Sequence, residues 1–222
     1  MCWWPAPTCL KMISERRLIP LSIALIALKL TKRIPEIEAD YIGADLGALI
    51  LAKQGKHMRL ALGDFDSVAP EDLDLIRQMS DEMIVLNPIK DDSDSESALN
   101  HVLAMGYDHV IMCGALGGRI DHEIVNLRLV YKSPGRISIM DDQNRITAYG
   151  VGRHVIKAEG YSYISFFTES EAIISLENMK YPLRDRRITY RDLYTVSNEI
   201  LSGEGILEVS SGSVLVIQSK DQ

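Results

Sequence analysis

The chain is poor in cysteine. Its 222 residues include three, Cys2, Cys9 and Cys113. The number is odd and no two share CxxC spacing, which excludes a disulfide framework and a cysteine zinc site as organising features. A reducing, cytoplasmic setting is expected. Positive charge is also in deficit: 24 Lys and Arg face 31 Asp and Glu, for a net charge of −7. Such a chain is poorly suited to holding a nucleic-acid backbone by counterion release, so no nucleic-acid partner is expected. A phosphorylated small molecule stays compatible, because local cations and metal ions can reverse the sign within one cleft. No apolar run reaches the ~20 residues of a spanning helix, so no membrane partner is expected. The longest, residues 18–30, follows Lys11, Arg16 and Arg17 and is interrupted by Lys29. No small-residue cleavage site follows it, so it does not read as a signal peptide. A buried helix of the first domain is the expectation. Residues 1–33 contain no glycine at all.

From about residue 40, short apolar runs alternate with helical patterns. Strands are expected at 41–44, 59–62, 83–86 and 109–113, and helices at 48–53, 70–79, 95–105 and 121–131. This order implies a mostly parallel sheet covered by helices, an α/β domain of the Rossmann-like kind. Ser133-Pro134-Gly135 breaks the rhythm. Beyond it, β-type runs at 137–140, 146–149, 154–156, 161–167, 172–176, 207–209 and 214–217 are separated by turn clusters. They imply an all-β sandwich or barrel. Two domains are expected, 1–132 and 133–222.

Acidic residues and glycines gather where the first domain's strands should end, the place where open α/β sheets bind ligands. Asp45 follows the first strand. Asp64 and Asp66, in Gly63-Asp64-Phe65-Asp66-Ser67, follow the second. Lys90, Asp91, Asp92 and Asp94 follow the third. Gly114, Gly117, Gly118, Arg119 and Asp121 follow the fourth. If Asp64-Phe65-Asp66 is extended, both carboxylates face one point and the Phe packs behind them. Magnesium takes such hard oxygen ligands and fills its shell with water and phosphate. Alone, the run reads equally well as a polar turn in which Ser67 or Asp66 caps the helix starting near Pro70. The other strand ends favour the metal.

Ser93 or Asp94 with Glu96 or Ser97 reads as a helix cap. Lys90 adds a phosphate contact there, and Asp94 a third carboxylate. The glycine-rich turn 114–118 fits neither GxGxxG nor GxxxxGK[ST], but its backbone permits close approach to phosphate. Arg119 can fork onto phosphate oxygens. His122 reads as a structural hydrogen-bonding group rather than a base, with Asn126 on the same helical face. Ser197-Asn198-Glu199 reads as a turn, with Asn198 supplying a left-handed residue.

Taken in order, these motifs resemble the thiamine pyrophosphokinase family. The resemblance rests on Gly-x-Asp-x-Gly at 43–47, Gly-Asp-Phe-Asp-Ser at 63–67, Lys-Asp-x-Ser-Asp-x-Glu-x-Ala-Leu at 90–99, and Gly-x-x-Gly-Gly-Arg-x-Asp-His-x-x-x-Asn at 114–126. Tyr181-Pro182-Leu183 and Ser197-Asn198-Glu199 resemble its C-terminal signatures. The resemblance spans about residues 40–217. It implies a homodimer in which thiamine's hydroxyl attacks the β-phosphorus of ATP, giving thiamine diphosphate and AMP. It implies Mg2+ on Asp64, Asp66 and Asp94. It implies a nucleotide and phosphate site formed by Asp45, Ser67, Lys90, Asp91, Gly117, Gly118, Arg119 and Asp121. Ser197 and Asn198 would meet thiamine across the dimer interface. On proximity, and not from the resemblance, a carboxylate is the candidate proton acceptor, Asp94 or Asp121. Two departures stand out: Leu46 where the family usually has Arg, and the absence of the family's Gly-Gly turn in residues 1–33. A diphosphokinase for another alcohol such as a pterin, or a dimeric thiamine- or nucleotide-binding protein without turnover, remains an alternative.

Overall fold

The structure, a computed structural model, describes residues 22–87 and 92–221. Lys90 and Asp91, the basic segment 11–17 and the pair Trp3-Trp4 lie outside the described residues. The first part runs β1 (Ile23–Ala27), β2 (Asp40–Ala44), α1 (Leu46–Lys53), β3 (Leu60–Gly63), α2 (Pro70–Gln78), β4 (Met83–Val85), α3 (Asp94–Ala104), β5 (His109–Cys113) and α4 (Ile120–Leu129), closed by one 3-10 turn. There follow β6 (Ile137–Met140), β7 (Asn144–Tyr149), β8 (Gly152–Lys157), β9 (Tyr163–Phe167), β10 (Glu171–Glu177), β11 (Leu183–Thr189), β12 (Glu204–Ser211) and β13 (Val214–Ser219).

The apolar run 18–30 is not a helix where it is described; it contains β1, an interior strand of the large sheet. The physical reason lies in its two neighbours and two faces. β1 pairs in parallel with both β2 and β5. Ala24 and Ile26 point into the core shared with α3 and α4, while Leu25 and Ala27 point into the core under α1 and α2. A strand covered on both sides needs apolar residues at every position, so it loses the period of two that marks a half-buried strand.

Nine strands form one mixed sheet in the order β4-β3-β2-β1-β5-β6-β7-β13-β9. The first six are parallel, and β7, β13 and β9 continue antiparallel. The sheet therefore runs through residue 133, with β6 added beside β5. A second, four-stranded antiparallel sheet has the order β11-β10-β12-β8. Alternate residues of β10 and β12, including Ile174, Leu176, Leu207 and Val209, pack with Phe166 and Val216 of the large sheet in one buried cluster.

Local signals explain the helix starts. Ser93 caps α3, its Oγ accepting from the Glu96 N–H at 3.2 Å. The expected cap of α2 by Ser67 or Asp66 is not formed. Ala69 stands at that position with no side-chain bond, and Pro70 with Glu71 and Asp72 opens the helix instead. No helix of the described residues is long and apolar enough to cross a membrane.

Candidate active site

The chain leaves β1 for β2, moves outward to β4, and returns on the other side of β1 with β5. This reversal makes β1 and β5 the topological switch point, where their C-terminal ends leave a crevice. A cavity of about 440 Å³ opens there. Asp45, Asp64, Asp66, Ser67 and Asp94 line it on one side, and Gly114, Gly117, Gly118 and Arg119 on the other. Residues from four separate strand ends are thus brought together as the spacing implied.

The acidic wall is built by a turn, not by an extended segment. β3 ends at Gly63, and Phe65 has φ of 55°, a left-handed conformation. The Val68 N–H closes the turn on the Phe65 carbonyl at 3.0 Å. Asp64 Oδ1 accepts from the Asp66 N–H at 3.1 Å, and Ser67 Oγ donates to Asp66 Oδ1 at 2.8 Å. The turn still delivers what the extended reading required. Phe65 is buried among the residues under α1 and α2, and both carboxylates line the cavity. Asp45 steadies the turn from the neighbouring strand end, accepting from the Phe65 N–H at 3.4 Å. Gly63 is needed there, since a Cβ would stand 1.8 Å from Asp45 Oδ1.

The opposite wall is a glycine turn held by α4. Asn126 is buried, donating to the Ala115 carbonyl at 2.8 Å and accepting from Ser95 Oγ at 2.7 Å. One amide thus ties the turn after β5 to the start of α3, on which Asp94 sits. Arg119 Nε donates to Asp121 Oδ1 at 3.1 Å, and that guanidinium holds the Asp121 carboxyl down at about 2. Asp121 is not among the cavity-lining residues; it orients Arg119 from outside. His122 lines the cavity, and its ring makes no hydrogen bond to another described residue.

Asp64, Asp66 and Asp94 offer hard oxygen donors to one space, which suits magnesium. Among the described residues, no three acidic, His or Cys side chains are gathered closely enough to enclose a metal by themselves. That is compatible with magnesium, which commonly takes one or two carboxylates and completes its shell with water and substrate phosphate.

Leu28, Leu30 and Ser95 are among the lining residues not singled out from the sequence. Lys29, noted there only as an interruption, joins them. A lysine breaking an apolar run was the available signal; read as the end of a strand, it places a cation at the switch point.

Comparison with known proteins sharpens this picture. The model of the thiamin pyrophosphokinase catalytic domain matches residues 36–140, and that of the thiamin pyrophosphokinase vitamin B1 binding domain matches 153–216. The thiamine pyrophosphokinase of Bacillus subtilis (strain 168) is 33% identical over 187 residues, covering 82% of this chain and 87% of that protein. The chain belongs to the thiamine pyrophosphokinase family. The crystal structure of the Bacillus subtilis enzyme superposes with a TM-score of 0.79 at 29% identity, over 90% of this chain and 100% of that one. A thiamin pyrophosphokinase family protein from Enterococcus faecalis gives 0.81 at 28% identity, over 90% and 100%.

In this member of the thiamine pyrophosphokinase family, the two C-terminal signature segments are stitched together. Asn198 is buried; its Oδ1 accepts from the N–H groups of Tyr181 and Glu199, each at 2.9 Å, and its Nδ2 donates to the Tyr181 carbonyl at 2.8 Å. Lys180 Nζ and Glu199 Oε1 are 2.7 Å apart. The left-handed residue is Ser197, with φ of 54°, and not Asn198 as expected. The strand-like pairing of Asn198 with Ile164 fixes its own backbone and leaves the turn to its neighbour. Neither Ser197 nor Asn198 lines the cavity of the same chain.

Proposed function

We propose that this chain transfers the diphosphoryl group of ATP to the hydroxyl of thiamine, forming thiamine diphosphate and AMP. The observation that carries this reading is the convergence of Asp45, Asp64, Asp66, Asp94 and the turn 114–119 on one cavity at the switch point, in a chain of this family. The hydroxyl oxygen bonds to the β-phosphorus, the bond from that phosphorus to the α,β-bridging oxygen breaks, and AMP leaves. Such a transfer needs alignment and charge neutralisation rather than a covalent intermediate. Asp64, Asp66 and Asp94 are the carboxylates that would hold magnesium, with water and substrate phosphate completing its shell, and the ion would neutralise phosphate charge there. Arg119, oriented by Asp121, meets phosphate oxygens, with Lys90 and Asp91 assigned to the same phosphate and nucleotide site. The backbone of Gly117 and Gly118 admits phosphate closely, and Asp45 and Ser67 complete the nucleotide side. Asp121 lies outside the cavity lining and is engaged by Arg119, whereas Asp94 lines the cavity, so Asp94 is the candidate for the hydroxyl proton.

The same reading assigns nucleotide binding to a Rossmann-like first part and thiamine and dimer contacts to a β-sandwich second part, in a cytoplasmic homodimer; the boundary expected between residues 132 and 133 falls inside the nine-stranded sheet, where β6 pairs with β5. The order of the two family matches supports that division of labour. Exposed Tyr181, Tyr190, Leu193, Tyr194, Val196 and Leu201 flank Ser197 in sequence or through Asn198, and support its meeting thiamine beside a second copy. Asp66→Asn tests the metal role. Its kcat/KM should fall by roughly a hundredfold or more with the melting temperature unchanged. Wild-type turnover by this variant at limiting magnesium would remove Asp66 from the metal site.

A further inference from the structure

The turn that closes β1 presents a cation to the cavity. The Leu28 N–H donates to the Cys113 carbonyl at 2.9 Å, and Thr31 Oγ donates to the same carbonyl at 2.9 Å. The Thr31 N–H closes the turn on the Leu28 carbonyl at 3.0 Å. Thr31 is buried. The two tip residues, Lys29 and Leu30, are therefore held against β5 at the switch point, and both line the cavity. On one flank lies the glycine turn, where a Cβ on Gly118 would stand 3.0 Å from Leu30 Cδ1. On the other lies the start of α1, where a Cβ on Gly47 would stand 3.0 Å from the Leu28 Cα.

Charge balance gives this tip its meaning. Among the described lining residues, the carboxylates are Asp45, Asp64, Asp66 and Asp94, and the Lys and Arg side chains are Lys29 and Arg119. Arg119 is engaged by Asp121. Lys29 is exposed and makes no hydrogen bond or ion pair with any described residue. A lysine on a fixed backbone, beside four carboxylates and bonded to none, is placed to meet an anion that enters with the ligand. We infer that Lys29 is a polyphosphate-binding residue of this enzyme, its ammonium contacting non-bridging oxygens of the ATP β- and γ-phosphates. The inference rests on the reading of the cavity as the ATP site. It assigns to the β1 turn a side-chain contact in a place where the chain has no glycine.

Calorimetric titration of the full-length protein with ATP and with AMP, both in magnesium and without thiamine, tests it. The variants are Lys29→Met and Lys29→Arg. Lys29→Met should weaken ATP binding about tenfold or more, the scale of one charge-assisted contact. AMP binding should change far less, and Lys29→Arg should recover most of the ATP affinity. Unchanged ATP affinity in Lys29→Met would overturn the assignment while leaving the cavity as the nucleotide site. Equal weakening of ATP and AMP, or no recovery with arginine, would also overturn it, as a disturbance of the turn. No ATP binding by the unaltered protein would overturn the reading of the cavity and this inference with it.

Discussion

Asp121 and Arg119 show how one residue's chemistry depends on its neighbour. The guanidinium holds the carboxyl at about 2, below its usual 3.8. Whatever the ion pair contributes to placing Arg119 is complete above about pH 4 and is lost as the pH falls through about 2. In a carbon-13 NMR titration, the Asp121 carboxyl should show its midpoint near 2 and return to the ordinary carboxylate range in Arg119→Ala. An ordinary midpoint in the unaltered protein would show that the pair does not persist in solution. At this scale the acidic residues were legible in the sequence, since Asp45, Asp64, Asp66 and Asp94 all line the cavity. Their backbone was not. The period-two argument assumed a strand, whereas Phe65 turns left-handed to bury its ring. Asn198 misled for the opposite reason: its amide has four bonding directions, and it ties the distant Tyr181 backbone to the adjacent Glu199 N–H, while the left-handed position falls to Ser197.

Among the elements, β1 is the one on which the site depends and the one hardest to recognise. Its residues are apolar on both faces, so neither helical nor strand periodicity distinguishes it. β11 escaped notice for a contrary reason. Its sequence contains Arg184, Asp185, Arg186 and Arg187, all exposed, because it is the edge of the four-stranded sheet. Charge on an edge strand deters pairing with other chains, and it also hides the strand from a hydrophobic pattern. Asp185, with φ of 43°, marks a bulge where the pairing with β10 shifts register. Contact between α1 and β1 gives the element-scale prediction. A Cβ on Gly47 would stand 2.0 Å from the Ala27 carbonyl oxygen. Gly47→Ala should push α1 off β1, destabilise the protein by about 1–3 kcal/mol and lower the melting temperature by several degrees. An unchanged melting curve would mean that the two elements separate freely.

For the whole molecule, the sequence pattern conveyed the alternation of strands and helices but not the continuity of the large sheet. The break at Ser133-Pro134-Gly135 is real as a turn, yet β6 follows it in parallel with β5. Pairing across such a distance depends on which edge is open, and no local signal carries that. A homodimer is the state proposed for this assembly, through the apolar surface near residues 190–201. Leu193 is 79% exposed there. Leu193→Asp should give a monomer in sedimentation equilibrium, with weaker thiamine binding and unchanged ATP binding. A dimer of undiminished strength would place the interface elsewhere.

The central claim concerns which phosphorus is attacked. Phosphorus-31 NMR of the protein with ATP, magnesium and thiamine follows it directly. The α-phosphorus of ATP should appear in AMP and the β- and γ-phosphorus atoms in thiamine diphosphate, in equal amounts. ADP as the sole nucleotide product, with thiamine monophosphate or free phosphate, would contradict it.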